Sequence, residues 1–87
     1  MIEDKVFVIS HHGCPPCEVL ARAIKDKIPI YDIASSDEAL DILLERNELA
    51  VPTAFYRDGG KVKKCQIRHS GDKIILDCGK EHLEFPK

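Results

Sequence analysis

Short apolar runs alternate with helical patterns in the first half of the chain. Runs rich in β-branched and aromatic residues predict buried strands, and apolar residues three or four positions apart predict helices. On these grounds the pattern predicts a strand over 5–10, a helix over 15–27, a strand over 28–33 and a helix over 35–47. Ser35 is expected to cap the second helix, because Glu38 stands three positions further on and completes a capping box.

The second half of the chain is predicted to form antiparallel strands. A strand over 53–57, a turn at 58–60 and a strand over 61–69 make a hairpin. If 71–72 and 79–80 are two further loops, the apolar residues of the next strands all fall on one face. The opposed pairs are then His69 with Ile74, Ile67 with Leu76, Cys65 with Cys78, Leu76 with Leu83, and Ile74 with Phe85. A short helix over 72–78 is the alternative.

Length and charge limit the kinds of partner that this chain is expected to have. It has 87 residues, which predicts one domain over 1–87, and a net charge of −2, which favours neither nucleic acid nor a membrane surface. No apolar run approaches the roughly 20 residues that span a bilayer. The first five residues are too polar for a signal peptide. We therefore expect a cytoplasmic protein with no nucleic-acid or membrane partner.

Two cysteines lie at the predicted turn between the first strand and the first helix. In Cys14-Pro15-Pro16-Cys17, Cys14 takes the N-cap position and Pro15 the first helical position, where proline is favoured. The positive end of a helix stabilises a thiolate, and such sites lower a cysteine pKa from about 8.5 to between about 3.5 and 7.5. Cys17, one turn on, is close enough to resolve a mixed disulfide. Half of a zinc site and simple packing are the alternatives.

The residues around the two cysteines are expected to tune the thiolate. They are His12, Gly13, Pro15 and Pro16. An N-cap group accepts from the N–H two or three positions on, but Pro16 has no N–H, which leaves Cys17 as the source of close donors. A smaller depression of the Cys14 pKa follows, and it makes the pair a reductant. His11 or His12 would oppose this if either places a positive charge nearby.

A second motif, Ala50-Val51-Pro52-Thr53, stands between the second helix and the third strand. With Cys-Pro-Pro-Cys it resembles the thioredoxin and glutaredoxin family, over residues 5 to about 62. The resemblance implies an α/β thioredoxin-like fold, with a central four-stranded sheet and a cis peptide before Pro52. In this chain the C-terminal meander is expected to replace the family's last helix. The resemblance also implies that Val51, Pro52 and Thr53 dock the substrate.

The function implied by the resemblance is thiol–disulfide exchange, with Cys14 as nucleophile and Cys17 as resolving thiol. The expected partners are a disulfide-bearing protein or small molecule and an unidentified reductase, with no organic cofactor and no metal. Ser70-Gly71-Asp72 matches the glutathione-binding motif of glutaredoxins only in part, so glutathione is not an expected partner. The alternatives are a metal-binding protein using the cysteine pair, or a binding module. In the latter, the apolar face of the meander docks a partner or a second copy. Under either function, a monomer or weak dimer is expected.

The second pair of cysteines, Cys65 and Cys78, has three interpretations. They are small buried residues on an apolar face, or they form a second disulfide, because directly opposed residues lie within reach of one. In the third interpretation they bind zinc together with His69 or His82. The predicted register places His82 on the opposite face from both cysteines.

Overall fold

A computed structural model describes residues 2–87 of the chain. Within them lie six strands, two α-helices and one short 3-10 helix, and the fold is mixed α/β. The elements are β1 (Val6–Ser10), α1 (Pro15–Ile24), the 3-10 helix (Lys25–Lys27), β2 (Ile30–Asp32), α2 (Asp37–Glu45), β3 (Thr53–Asp58), β4 (Lys61–Ser70), β5 (Lys73–Asp77) and β6 (His82–Pro86). No helix within residues 2–87 is long and apolar enough to cross a membrane.

The strands form one sheet in the order β2-β1-β3-β4-β5-β6. β2 runs parallel to β1, as a strand–helix–strand unit requires, and every other neighbouring pair is antiparallel. Successive side chains of a strand point to opposite faces, so β1 sends Val8 towards α1, and Phe7 and Ile9 towards α2. The two helices therefore cover opposite faces of the sheet.

The three C-terminal strands pair in the predicted register. Ile67 lies opposite Leu76, and Ile74 lies opposite both His69 and Phe85. Ile74 and Leu76 are fully buried, and this alternation of period two is why the alternative helix over 72–78 does not form and residues 73–77 form a strand.

The apolar face of the meander is covered by α1. Leu20 and Ile24 of the helix belong to the same buried cluster as Ile74, Leu76 and Phe85 of the strands. This face is therefore packed against α1 within the chain.

The start of α2 differs from the prediction by one residue. Ser36 is the N-cap, and its hydroxyl accepts from the N–H of Ala39 at 3.2 Å. Ser35 instead belongs to a turn, in which its N–H and its hydroxyl both donate to the carbonyl of Asp32. Glu38 accepts from the N–H of Ile2 at 2.8 Å. The Ser35–Glu38 capping box was therefore wrong, because the turn after β2 consumes one more residue.

Both helices also end earlier than predicted. α1 ends at Ile24, since Lys25 adopts a φ of 41°, and residues 25–27 continue as a 3-10 turn. α2 ends at Glu45, and Asn47 has a φ of 53°. Left-handed residues of this kind stop helical hydrogen bonding, and asparagine tolerates the conformation better than most residues.

The second pair of cysteines lies in the core beneath α1. The structure joins Cys65 of β4 to Cys78, which follows β5, with the two Cα atoms 4.2 Å apart. Cys65 is 2% exposed and Cys78 is 5% exposed, and both pack in the cluster that holds Leu20 and Ile24. The bond would cross-link the two strands of the β4–β5 hairpin on its buried face.

Loss of the Cys65–Cys78 bond is expected to destabilise the fold. The bond spans a sequence separation of 13, and closing a loop of that size stabilises by about 3 kcal/mol in the chain-entropy description. Denaturant unfolding of Cys14→Ser/Cys17→Ser, with and without reductant, measures this bond by itself. Adding Cys65→Ala/Cys78→Ala should abolish the response to reductant. An unfolding midpoint that reductant leaves unchanged in the first variant would show that the bond is not formed.

Candidate functional site

Cys14 lies at the N-cap of α1, where its sulfur faces the first turn of the helix. Its backbone is extended, with φ −104° and ψ 108°, and its Sγ accepts from the N–H of Cys17 at 3.3 Å. Pro15 and Pro16 occupy the first two helical positions and have no N–H to offer. One backbone donor therefore reaches the sulfur directly, and it comes from Cys17.

The sulfurs of Cys14 and Cys17 are joined in the structure, and their Cα atoms are 5.2 Å apart. The two residues differ in access to solvent. Cys14 is half-buried, whereas Cys17 is 6% exposed and lies on the inner face of α1. A reacting sulfur from outside would reach Cys14 first.

The turn before β3 lies against this pair. The Val51–Pro52 peptide bond is cis, as the resemblance implied. The sulfur of Cys14 lies 3.8 Å from the carbonyl oxygen of Val51. The Thr53 hydroxyl donates to the carbonyl of Ala50 at 2.6 Å, and Thr53 is 2% exposed. The Thr53 side chain therefore holds the turn, while the backbone of Val51 borders the sulfur.

An apolar cleft of about 390 Å³ opens beside Cys14. Ile33, α2 and the segment before β3 line it, and two of its lining residues, Leu44 and Leu49, are 53% and 85% exposed. Exposed leucines of this size are costly in water, so the cleft is suited to an apolar side chain adjacent to a reacting sulfur. His11 forms part of the same wall.

Asp32 holds the loop that precedes Cys14, a contact that the sequence analysis missed. One carboxylate oxygen accepts from the backbone N–H of His12 at 3.1 Å and lies 3.2 Å from its Nδ1. The other oxygen accepts from the N–H of Ala34 at 2.8 Å. These donors, Ala34 first and then His12, hold the pKa of Asp32 below its ordinary value.

A signal for this contact was available in the sequence. Asp32 lies near the end of the second strand of a predicted strand–helix–strand unit. Such a unit makes parallel strands, and the carboxyl ends of parallel strands meet at one edge of a sheet. The observed register pairs Asp32 with Ser10, two residues before His12.

The structure does not form the zinc site that was considered from the sequence, with Cys65, Cys78 and either His69 or His82 as ligands. Among the described residues, neither His69 nor His82 lies with the two cysteines in a group at metal-ligand distances. His82 instead pairs with Glu84, with 2.9 Å between Nε2 and the carboxylate.

Comparison with known proteins finds a weak similarity to a thioredoxin. Thioredoxin-T of Drosophila melanogaster is 29% identical to this chain over 83 residues, which covers 85% of the chain and 52% of the relative. The chain thus spans about half the length of the curated relative that it matches. No family model and no solved structure matches the chain. The similarity supports a thioredoxin-like relationship, and the Cys14–Cys17 pair fits the Cys-x-x-Cys motif.

Asp32 should titrate below its ordinary pKa of 3.8. Because its carboxylate is the form that accepts the two N–H donors, these bonds are complete above the ordinary value and are lost as pH falls through the lowered pKa. We expect the amide protons of His12 and Ala34 to shift together in an NMR titration, with a shared midpoint below 3.8. Asp32→Asn should remove both transitions. A midpoint at or above the ordinary value would contradict the contact.

Proposed function

We propose that this chain is a thioredoxin-like thiol–disulfide oxidoreductase that reduces disulfides of proteins or small molecules. The observation that carries the proposal is the unequal pair at the start of α1. An accessible sulfur at the N-cap receives a backbone N–H, and a second sulfur lies buried within bonding reach. The strand–helix order, the cis-proline turn beside Cys14 and the relative named thioredoxin support the same function.

In the proposed reaction, electrons pass directly between sulfurs. The Cys14 thiolate attacks one sulfur of the target disulfide, and the other target sulfur leaves as a thiolate. The Cys17 thiolate then attacks Cys14 Sγ, which forms the Cys14–Cys17 disulfide and releases the second target thiol. Two electrons have moved from this protein to the target, and an unidentified dithiol reductase would restore the pair.

The target is proposed to dock on the turn before β3. Val51 lies at the sulfur and offers backbone groups to an extended segment, as the resemblance implies, and Pro52 keeps the turn against the cysteine pair. Thr53 contributes by holding the turn through its bond to Ala50. An apolar side chain beside the target cysteine would fill the cleft that Leu44 and Leu49 border.

The direction of electron flow follows from the donors at the helix start. With Pro15 and Pro16 in the first two helical positions, the Cys14 thiolate is stabilised less than in a site with a donor at the second position. A less stable thiolate disfavours the reduced pair, so the pair donates electrons. The positive end of α1 acts in the opposite sense.

The remaining parts of the proposal concern the setting of the reaction. We propose action in the cytoplasm, without an organic cofactor, as a monomer or weak dimer. Glutathione is not proposed as a partner, since residues 70–72 lie in the β4–β5 hairpin, not at the start of a helix as the glutaredoxin motif does.

Replacing Cys17 should trap the reaction half-way. Cys17→Ser leaves Cys14 able to attack but leaves nothing to resolve the mixed disulfide, so a covalent adduct with an oxidised test protein such as insulin should accumulate on non-reducing gels. Cys14→Ser should form no adduct and lose insulin reduction in a dithiothreitol-coupled assay. If Cys14→Ser kept the activity of the unmodified protein, the assigned roles would be wrong.

Restoring the missing donor should make the pair more oxidising. Pro16→Ala adds an N–H at the second helical position. A hydrogen bond to a charged group contributes about 1.5–3 kcal/mol. Since about 1.4 kcal/mol corresponds to about 30 mV, the potential should rise by at least about 30 mV. The Cys14 thiol pKa should fall in the same variant. Equilibration with dithiothreitol buffers and thiol trapping measures the potential, which for the unmodified protein we expect near or below about −270 mV.

Pro15→Ala is the matched control for this experiment. It removes a proline from the same helix turn, but its new N–H lies at the first helical position, from which an N-cap group does not accept. Equal shifts in the two variants would show that proline rigidity, not the donor, sets the potential. A value for the unmodified protein between about −120 and −180 mV would make it an oxidant or isomerase.

A further inference from the structure

We propose that His11, His12 and Asp32 form a binding site for a divalent transition-metal ion beside the redox pair. The two histidines stand in the loop after β1, and the aspartate ends β2. One ligand atom from each residue lies within 4.8 Å of the others. The site uses neither cysteine, so it stands independently of the proposed exchange reaction.

The distances suit one small ion shared by these side chains. Metal–ligand bonds to imidazole nitrogen and carboxylate oxygen are about 2.0–2.2 Å, which puts two tetrahedral ligands about 3.3 Å apart. His12 Nδ1 and the Asp32 carboxylate are already 3.2 Å apart. The His11 ring is stacked on the His12 ring, with 4.4 Å between centroids. A rotation of the His11 side chain would bring its nitrogen into the set.

Hydrogen bonds to Asp32 hold the histidine loop in place, which indicates a preformed site and not an accidental contact between side chains. The backbone N–H of His12 donates to Asp32, and the N–H of Ala34 fixes the other carboxylate oxygen. The carboxylate is therefore oriented towards the histidine loop before any ion arrives.

The donor set selects the class of ion. Two imidazoles and one carboxylate suit borderline ions such as Zn²⁺, Co²⁺ and Ni²⁺, whereas Ca²⁺ and Mg²⁺ prefer oxygen ligands alone. Three protein ligands would leave a fourth position open to water or to another ligand. His11 and Cys14 line the same cleft, so one of the three proposed ligands borders the space beside the redox pair.

The chain contains an internal comparison for this site. His82 and Glu84 also form an exposed histidine–carboxylate pair, at 2.9 Å, but they have no third ligand in the described part of the chain. If a histidine–carboxylate pair alone were sufficient to bind the ion, both sites would bind it. We expect only the site with three ligands to bind the ion.

Calorimetric titration of the oxidised, tag-free protein with Zn²⁺ tests the site. Oxidation ties up all four cysteines, so no thiolate competes for the ion. We expect one equivalent to bind. His11→Ala, His12→Ala and Asp32→Asn should each weaken binding by at least about tenfold, since even the loss of a residue that only supports a metal ligand costs that much. His82→Ala should bind as the unmodified protein does.

Three results would overturn the proposal. They are no saturable binding to the oxidised protein, equal binding by His12→Ala and the unmodified protein, or an equal loss in His82→Ala. The same titration of Cys14→Ser/Cys17→Ser, with the Cys65–Cys78 bond kept oxidised, keeps the site but removes the redox pair. Binding that persists there, in a protein without exchange activity, separates this site from the proposed function. Zinc that binds only when the Cys14–Cys17 pair is reduced belongs to those thiolates and contradicts the site.

Discussion

The antiparallel pairing of β1 with β3 is the constraint on which the site depends. It places Ile9 opposite Thr53, so the chain leaves β1 towards Cys14 at the same end of the sheet where it enters β3 from Val51 and Pro52. The stacked rings of Phe7 and Phe55, 5.7 Å apart and fully buried, secure the register. A slip of one residue between the strands would turn one of the two rings to the other face and separate the cysteine from the cis-proline turn.

The meander was predictable because two independent turns had to agree. Placing loops at 71–72 and 79–80 brought Ile67, Ile74, Leu76 and Phe85 to one face, and the structure has those pairings. A strand has a strict period of two, so one wrong loop length would have scattered these residues over both faces. Local apolar spacing was sufficient here because each strand pairs with its neighbour in sequence.

Contacts that depend on distant pairing were beyond the same reasoning. The contact of His12 with Asp32 depends on the parallel register of β1 and β2. The strand–helix–strand order indicates the parallel pairing, but no local pattern specifies its register. The N-cap of α2 moved from Ser35 to Ser36 for a related reason. The carbonyl of Asp32 at the end of β2 accepts hydrogen bonds from the N–H groups of both serines, so the helix begins only after that turn. The unequal burial of Cys14 and Cys17 likewise reflects how α1 packs on the sheet.

The two cysteine pairs occupy environments that separate their roles. Cys65 and Cys78 are nearly sealed in the core under α1, out of reach of a partner's sulfur, whereas Cys14 is open to the cleft.

The meander has a helix on one face only. Its other face carries exposed ion pairs such as Arg68–Asp77, which contribute at most about 1 kcal/mol each.

A sheet extension covered on one side buries less apolar area per strand than β1 and β3, which lie between two helices. A buried disulfide between β4 and the end of β5 would add stability to a part of the sheet that has a helix on one face only. The one-sided meander and the second cysteine pair are then parts of one structural solution.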